Sequence, residues 1–138
     1  MKITRQADYA TRAVLHLARA PQDKLVATGD IAKGQNIPAS FLAKIIAQLS
    51  VAGLVHTSRG ARGGVRLARD PGDVTLLEVL EAIDGPIQLN ICVEQRDKCT
   101  FEKNCPLQPV WCDAQAELVS RLRNTNFGQM VETDKALP

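Results

Sequence analysis

The sequence predicts a mainly α-helical fold with a small β-hairpin wing: a winged helix-turn-helix domain followed by a long C-terminal dimerisation helix. Three observations predict it. Two helix-forming segments meet at a tight turn around Asn36, and an arginine- and glycine-rich hairpin, SRGARGG at 58–64, follows them. The last helix-forming segment then repeats apolar residues at nearly coiled-coil spacing.

The first helix is predicted from Thr4 to about Ala20. Threonine is a favoured N-cap residue, because its hydroxyl accepts a hydrogen bond from an early backbone N–H. Pro21 follows the predicted end of the helix. The apolar residues of the segment recur at helical spacing: Ala10, Ala13, Val14, Leu17 and Ala18.

A helix-turn-helix motif is predicted next, with helices over about 28–35 and 38–52. Asn36 lies between them and tolerates the left-handed backbone of a tight turn, and Gly53 suits the end of the second helix. The buried face of the second helix is predicted to consist of Leu42, Ile45, Ile46 and Leu49. The opposite face carries three candidate DNA-binding residues: Ser40, Lys44 and Gln48.

A wing is predicted directly after the second helix. Two short strands, Leu54–Val55 and Val65–Leu67, flank the loop SRGARGG. Glycines allow the backbone to approach a phosphate closely, and arginines pair with phosphate or enter a narrow minor groove. Arg59 and Arg62 are therefore candidate DNA-binding residues.

The second half of the chain is predicted to contain a helix over about 75–84, a cysteine-rich segment and a last helix from near Pro106. The predicted divisions are a DNA-binding domain over 1–84, a cluster-binding loop over 85–106, and a dimerisation helix with a C-terminal tail over 107–138. The apolar residues of the last helix are spaced by 4, 3, 4 and 4: Leu107, Trp111, Ala114, Leu118 and Leu122. This spacing favours a helix that pairs with a second copy.

Charge is distributed unevenly along the chain. Residues 1–70 carry 11 Lys/Arg and 4 Asp/Glu, a balance of +7, whereas residues 71–138 carry 6 and 11, a balance of −5. A basic first half favours a polyanionic partner. No signal peptide or membrane span is predicted, so we expect a cytoplasmic protein. The two histidines, His16 and His56, have no predicted nucleophile or carboxylate pair beside them, so we do not expect an enzyme.

All four cysteines lie in one polar segment, at Cys92, Cys99, Cys105 and Cys112. Their spacing lacks the pairs two to four residues apart that structural zinc prefers. Inert thiols would be expected in a more apolar setting, and a redox disulfide pair remains an alternative. An iron–sulfur cluster is larger than one ion and accepts thiolates from a long loop. The segment therefore favours a cluster.

Helix geometry separates Cys112 from the other cysteines. If the last helix begins at Pro106, Cys112 lies roughly 10 Å along the axis from Cys105, at about 1.5 Å per residue. That distance is long for two ligands of one compact cluster. We therefore take Cys92, Cys99 and Cys105 as the candidate ligands, with the fourth position open.

Four segments give the chain a resemblance to the IscR/NsrR family of iron–sulfur winged-helix bacterial transcriptional regulators. They are MKITRQADYATRAV, PASFLAKIIAQLSVAGLV, SRGARGGVRLARDP and CPLQPVW. The resemblance implies a homodimer that binds double-stranded promoter DNA and holds one cluster, [2Fe-2S] or [4Fe-4S], per subunit. It implies the ligands Cys92, Cys99 and Cys105, and it implies DNA contacts from Ser40, Phe41, Lys44, Arg59 and Gly60.

The resemblance leaves the fourth ligand open. Gln108 stands where IscR-like proteins have a histidine ligand, and Asp8 stands where NsrR-like proteins supply an aspartate from the partner subunit. The candidates are therefore Asp8 of the partner subunit or Cys112. The expected function is a repressor whose cluster senses nitric oxide, redox or iron–sulfur status. The alternative is a metal-free regulator that senses thiol oxidation.

Overall fold

The computed structural model describes residues 2–94, 100 and 104–136. The helices are α1 Arg5–Arg19, α2 Thr28–Gln35, α3 Ala39–Val51, α4 Leu76–Asp84, α5 Ile91–Glu94, α6 Leu107–Arg123 and α7 Phe127–Ala136. The strands are β1 Val55–Ser58 and β2 Gly64–Leu67, and a short 3-10 turn spans Pro71–Asp73. A mainly helical chain with one antiparallel hairpin confirms the predicted fold class.

Helix α1 forms the centre of the fold. The Thr4 hydroxyl accepts a hydrogen bond from the backbone N–H of Ala7 at 3.1 Å, which confirms the predicted cap. Ala7, Ala10 and Ala13 are fully buried. Because their side chains are small, the backbones of neighbouring elements approach α1 closely, and α1 packs against α2, α3, α4, α7 and β2.

The turn between α2 and α3 has the geometry that the sequence predicts. Asn36 has a φ of 53°, in the left-handed region, and caps the C-terminus of α2. The N–H of the next residue, Ile37, donates to the carbonyl oxygen of Ala32 at 2.9 Å. Ile31 and Ile37 are buried on either side of the turn. The four residues predicted for the buried face of α3 are all in the core: Leu42, Ile45, Ile46 and Leu49.

The wing is an antiparallel hairpin in which Val55 pairs with Leu67 and Thr57 pairs with Val65. Val55, Val65 and Leu67 are buried, as predicted. The first strand runs to Ser58 and thus extends beyond the predicted Leu54–Val55. Val26 adds a third line of pairing, because its N–H and carbonyl both bond to Val65 at 2.8 Å. This bridge ties the segment between α1 and α2 to the base of the wing.

A capping box opens α4. The Thr75 hydroxyl accepts from the Glu78 N–H, and the Glu78 carboxylate accepts from the Thr75 N–H at 3.0 Å. Arg69, just after the wing, donates to the same carboxylate at 2.8 Å. Burial alone would raise the pKa of Glu78, but hydrogen bonds from the Thr75 backbone and the Arg69 guanidinium hold that pKa below its ordinary value.

The chain returns to the core of the helix-turn-helix after α6. The Leu76 N–H donates to the Thr125 carbonyl at 2.8 Å, and the Phe127 N–H donates to the Val74 carbonyl at 3.0 Å. Phe127 is 1% exposed and lies in the same core as the helix-turn-helix. Helix α7 packs on α1, where the Arg19 guanidinium donates to both carboxylate oxygens of Asp134, at 2.8 and 3.0 Å. Residues assigned by sequence to a C-terminal tail therefore complete the core.

Candidate DNA-binding surface and metal centre

The exposed face of α3 carries three of the residues predicted to bind DNA. Ser40, Phe41 and Lys44 are exposed, whereas Leu42 and Ile45 beside them are buried. The core therefore fixes which side of α3 faces solvent. This is the arrangement in which the second helix of a helix-turn-helix presents polar side chains to a major groove.

Gln48 departs from the expectation that it lies on this exposed face. The residue is half-buried, and its Oε1 atom is enclosed without a hydrogen-bond partner in the described parts of the chain. A buried amide oxygen is poorly placed to reach a base edge. Of the residues predicted to bind DNA from α3, Ser40, Phe41 and Lys44 are thus exposed and Gln48 is half-buried.

Phe41 also contacts α1. Its ring lies 6.1 Å from that of Tyr9, measured between centroids, with the two planes inclined at 60°. Tyr9 is half-buried and packs against the core. Sequence reasoning missed Tyr9, because the contact joins residues 32 positions apart that no local pattern connects.

The tip of the wing presents Arg59, Gly60 and Arg62 to solvent. Gly60 has a φ of 100°, which strongly favours glycine there. At Gly63 a Cβ atom would overlap the backbone carbonyl oxygen of Ser58. The glycines thus allow the chain to fold tightly on itself and hold the two arginines at one end of the hairpin. An exposed guanidinium on a bare backbone is well suited to phosphate contact.

Three of the four cysteines lie among the described residues, on α5 and around the start of α6. Cys92 is on α5 and is 7% exposed, whereas Cys105 precedes α6 and Cys112 lies within it, both half-buried. These three thiols are free. Cys99, the other predicted ligand, lies outside the described residues.

Gln108 connects the two ends of the cysteine segment. Its side-chain Nε2 lies 3.5 Å from the carbonyl oxygen of Cys92, and its backbone N–H donates to the carbonyl of Cys105 at 3.3 Å. Gln108 thus contacts the backbone of both Cys92 and Cys105. The sequence marks Gln108 only as a residue in the place of a histidine, and its structural contact is one that spacing does not reveal.

Asp8 lies on α1 with its side chain half-exposed. Its Oδ2 accepts from Arg12 Nε at 3.0 Å, one turn along the same helix. Within the described ranges, no three Cys, His, Asp or Glu side chains converge as a metal site. The structure thus shows the Asp8 carboxylate in an ion pair with Arg12.

Helix α6 presents an apolar surface to solvent. In the described structure none of its residues is buried. Leu107 and Val110 are both 56% exposed, Trp111 is 37% exposed, and Ile91 of the neighbouring α5 is 51% exposed. Apolar side chains grouped in this way are typical of a surface that takes part in binding. The described helices include none with the length and apolar character needed to cross a membrane.

Known proteins resemble the chain over nearly its full length. The profile of the Rrf2 family, described as an iron-dependent transcriptional regulator, matches residues 3–133. The HTH-type transcriptional regulator IscR of Photobacterium profundum is 31% identical over 131 residues, which cover 95% of this chain and 76% of that protein.

Two solved structures share the fold. CymR, the global cysteine regulator of B. subtilis, superposes with a TM-score of 0.82 at 22% identity over 96% of this chain and 98% of its own. IscR of T. potens superposes with a TM-score of 0.78 at 24% identity, over 97% of this chain and 88% of its own. The profile match and the similarity to this IscR sequence together show which family the chain belongs to. It belongs to the Rrf2 family of DNA-binding transcriptional regulators.

Proposed function

We propose that the chain is a homodimeric repressor that binds promoter DNA and changes its affinity with the state of an iron–sulfur cluster. The observation that carries the proposal is that one chain holds both exposed Ser40, Lys44 and Arg59 on α3 and the wing and a cysteine segment in which Gln108 contacts Cys92. The iron-dependent description of the family supports the same function.

The donor set fits a cluster. Cys92 and Cys105 supply two soft thiol ligands whose backbones converge on Gln108, and the proposed third ligand is Cys99. The fourth ligand is either Asp8 of the partner subunit or Cys112. When bound, such a cluster supplies a centre that reacts with nitric oxide or oxidants. The chain's own thiolates hold it, and the burial of Cys92 limits access of water.

The dimer is proposed to form through α6. Leu107, Val110 and Trp111 lie exposed on that helix and together form an apolar surface. For Asp8 of the partner subunit to be the fourth ligand, the same dimer must bring the partner's α1 to the cysteine segment. A two-fold dimer reads a pseudo-palindrome with half-sites about one helical turn, or a multiple, apart.

Anaerobic purification tests the cluster. Protein carrying iron and acid-labile sulfide with a visible absorption band supports the proposal, and Cys92→Ser or Cys105→Ser should remove both metal and colour. Asp8→Ala and Cys112→Ser form a matched pair, because the variant that alters the spectrum identifies the fourth ligand. Colourless protein whose DNA binding follows reductant alone would instead establish thiol sensing, the function suggested by the free thiols and by the likeness to a cysteine regulator.

Fluorescence anisotropy with labelled promoter DNA tests the wing. Arg59→Ala should weaken binding and reduce the slope of log affinity against log salt by roughly 0.9 for each phosphate that the variant no longer neutralises. Arg123→Ala removes another exposed arginine, from α6, and serves as the control. Equal effects of the two substitutions would contradict the assignment of the wing.

A further inference from the structure

The contact between Tyr9 and Phe41 joins α1 to the DNA-reading helix. The ring centroids are 6.1 Å apart and the ring planes are inclined at 60°. These values are typical of a favourable tilted, edge-to-face contact between two aromatic rings. Tyr9 belongs to α1, which is anchored to most of the fold. Phe41 is the third residue of α3. One ring thus rests on the rigid centre of the molecule, and the other lies on its candidate DNA surface.

Phe41 remains unusually exposed for a large apolar side chain. It is 42% exposed, whereas the next residue, Leu42, is 1% exposed. Phe41 therefore contributes little to the core beyond its contact with Tyr9. Its free surface lies on the same face of α3 as Ser40 and Lys44. This placement leaves an apolar ring among the polar side chains that would face a major groove.

The first turn of α3 depends on packing for its position. Pro38 stands at the N-cap, and within the described residues no side chain caps this end of the helix. Ile37 and Leu42 hold the turn from the core side. Tyr9 holds it from the exposed side through Phe41. Removing the Tyr9 ring would therefore take away the support of Phe41 on the exposed side of the turn.

The major groove offers a specific partner for such a ring. Thymine presents a C5-methyl group there, and phenylalanine is among the side chains that contact it. Uracil lacks this methyl group and otherwise presents the same hydrogen-bonding edge. Burial of one methyl group corresponds to about a fourfold gain in affinity.

We propose that Tyr9 is a specificity-determining positioning residue that holds the Phe41 ring against a thymine methyl group in the major groove. The inference rests on the proposed DNA-reading role of α3 and does not depend on the cluster. Tyr9 acts through Phe41. Its substitution should therefore change which base is preferred while the charge-based affinity for any DNA is kept.

The test uses duplexes enriched from a random library by the full-length protein. Each thymidine of the enriched site is replaced in turn by deoxyuridine, and affinities are measured by anisotropy. The affinity of wild-type protein should fall about fourfold when one particular thymine of each half-site is replaced by uracil. Phe41→Ala should bind the thymine and uracil duplexes equally.

The variants of Tyr9 separate positioning from a general loss of structure. Tyr9→Leu should reduce the thymine preference to below about twofold while its affinity for random-sequence DNA stays unchanged. Tyr9→Phe keeps the ring and should keep the full preference. The double variant Tyr9→Leu/Phe41→Ala should bind the thymine and uracil duplexes with the same affinities as Phe41→Ala alone, because the two residues act as one unit.

Three results would overturn the inference. In the first, Tyr9→Leu would keep the full preference for thymine over uracil, and in the second, wild-type protein would bind both duplexes equally. In the third, Tyr9→Phe would lose the thymine preference as Tyr9→Leu does. In each of these cases an enriched sequence exists and α3 still reads DNA. Absence of any enriched sequence would instead overturn the DNA-reading role of α3, and the inference with it.

Discussion

The Thr4 hydroxyl donates to the carboxylate of Asp84, at 2.8 Å from Oδ1 and 3.0 Å from Oδ2. Thr4 caps α1 and Asp84 is the last residue of α4, so one side chain joins the start of one helix to the end of another. A carboxylate is unfavourable at the C-terminus of its own helix and favourable near the N-terminus of α1. The segment that leads to the cysteines begins one residue later.

Thr4→Ala should lower the free energy of unfolding by about 1–2 kcal/mol, because it removes both the cap of α1 and the partner of Asp84. Urea denaturation followed by circular dichroism measures the change. Thr133→Ala is the matched control, since Thr133 is exposed within α7 and its hydroxyl bonds only to a carbonyl of its own helix. An equal effect of the two substitutions would show that the cap contributes nothing specific.

Phe127→Ala should lower the free energy of unfolding by roughly 3–5 kcal/mol, the range for removing a buried aromatic ring. The reason is that Phe127 is 1% exposed and fills the core shared with α1 and the wing. Thermal or urea unfolding provides the measurement. Val51→Ala, at a residue that is 91% exposed, should leave stability almost unchanged. A Phe127→Ala protein as stable as wild type would exclude the C-terminal segment from the core.

Glu78→Gln should reduce stability near neutral pH by roughly 1 kcal/mol and flatten the loss of stability in acid. A carboxylate with a lowered pKa stabilises the fold above its ordinary pKa, and this contribution is lost as the pH falls through the lowered value. The wild type should therefore lose stability relative to the variant below about pH 4.5. Urea unfolding midpoints of the wild type and Glu78→Gln, measured from pH 7 to pH 3, test this. Midpoints that change with pH in parallel for the two proteins would contradict it.

Val110→Lys should convert the dimer to monomer, because it places a charge in the middle of the exposed apolar face of α6. Sedimentation equilibrium or light scattering reports the mass. Val51→Lys makes the same chemical change at an exposed site on α3 and should leave the dimer intact. If Val110→Lys remains a dimer, the dimer interface does not lie on this helix.

Gly63→Ala should destabilise the wing and weaken DNA binding several-fold, because the added methyl group overlaps the Ser58 carbonyl. Gly29→Ala introduces the same group into open space on α2 and should be tolerated in the folded state. Thermal unfolding and anisotropy with promoter DNA test both variants. Wild-type affinity in Gly63→Ala would show that the tip adjusts without loss of function.

Local patterns in the sequence were sufficient for most of the elements. Helical spacing and caps placed α1 to α4, and the glycines placed the wing, because each of these signals lies within a few residues. Val26 and Phe127 were missed for a common reason. Each is held in place by backbone hydrogen bonds to a partner far along the chain, Val65 in one case and Val74 in the other.

The candidate sites were predictable to a different extent. Exposure of Ser40, Lys44 and Arg59 followed from periodicity and turn chemistry. The half-burial of Gln48 did not, because it lies at the boundary between the two faces of α3, where a small rotation of the helix decides exposure. The contact of Gln108 with Cys92 required the packing of α5 on α6, which no sequence spacing specifies.

The pairing of residues 74–76 with 125–127 also orders events during synthesis. Phe127 belongs to the core that supports the helix-turn-helix, and it follows every cysteine in the chain. Domains generally fold as units during translation. The ribosome must therefore deliver the whole cysteine segment before the DNA-binding domain can close its core, so that a nascent chain able to read promoters already contains its proposed sensor.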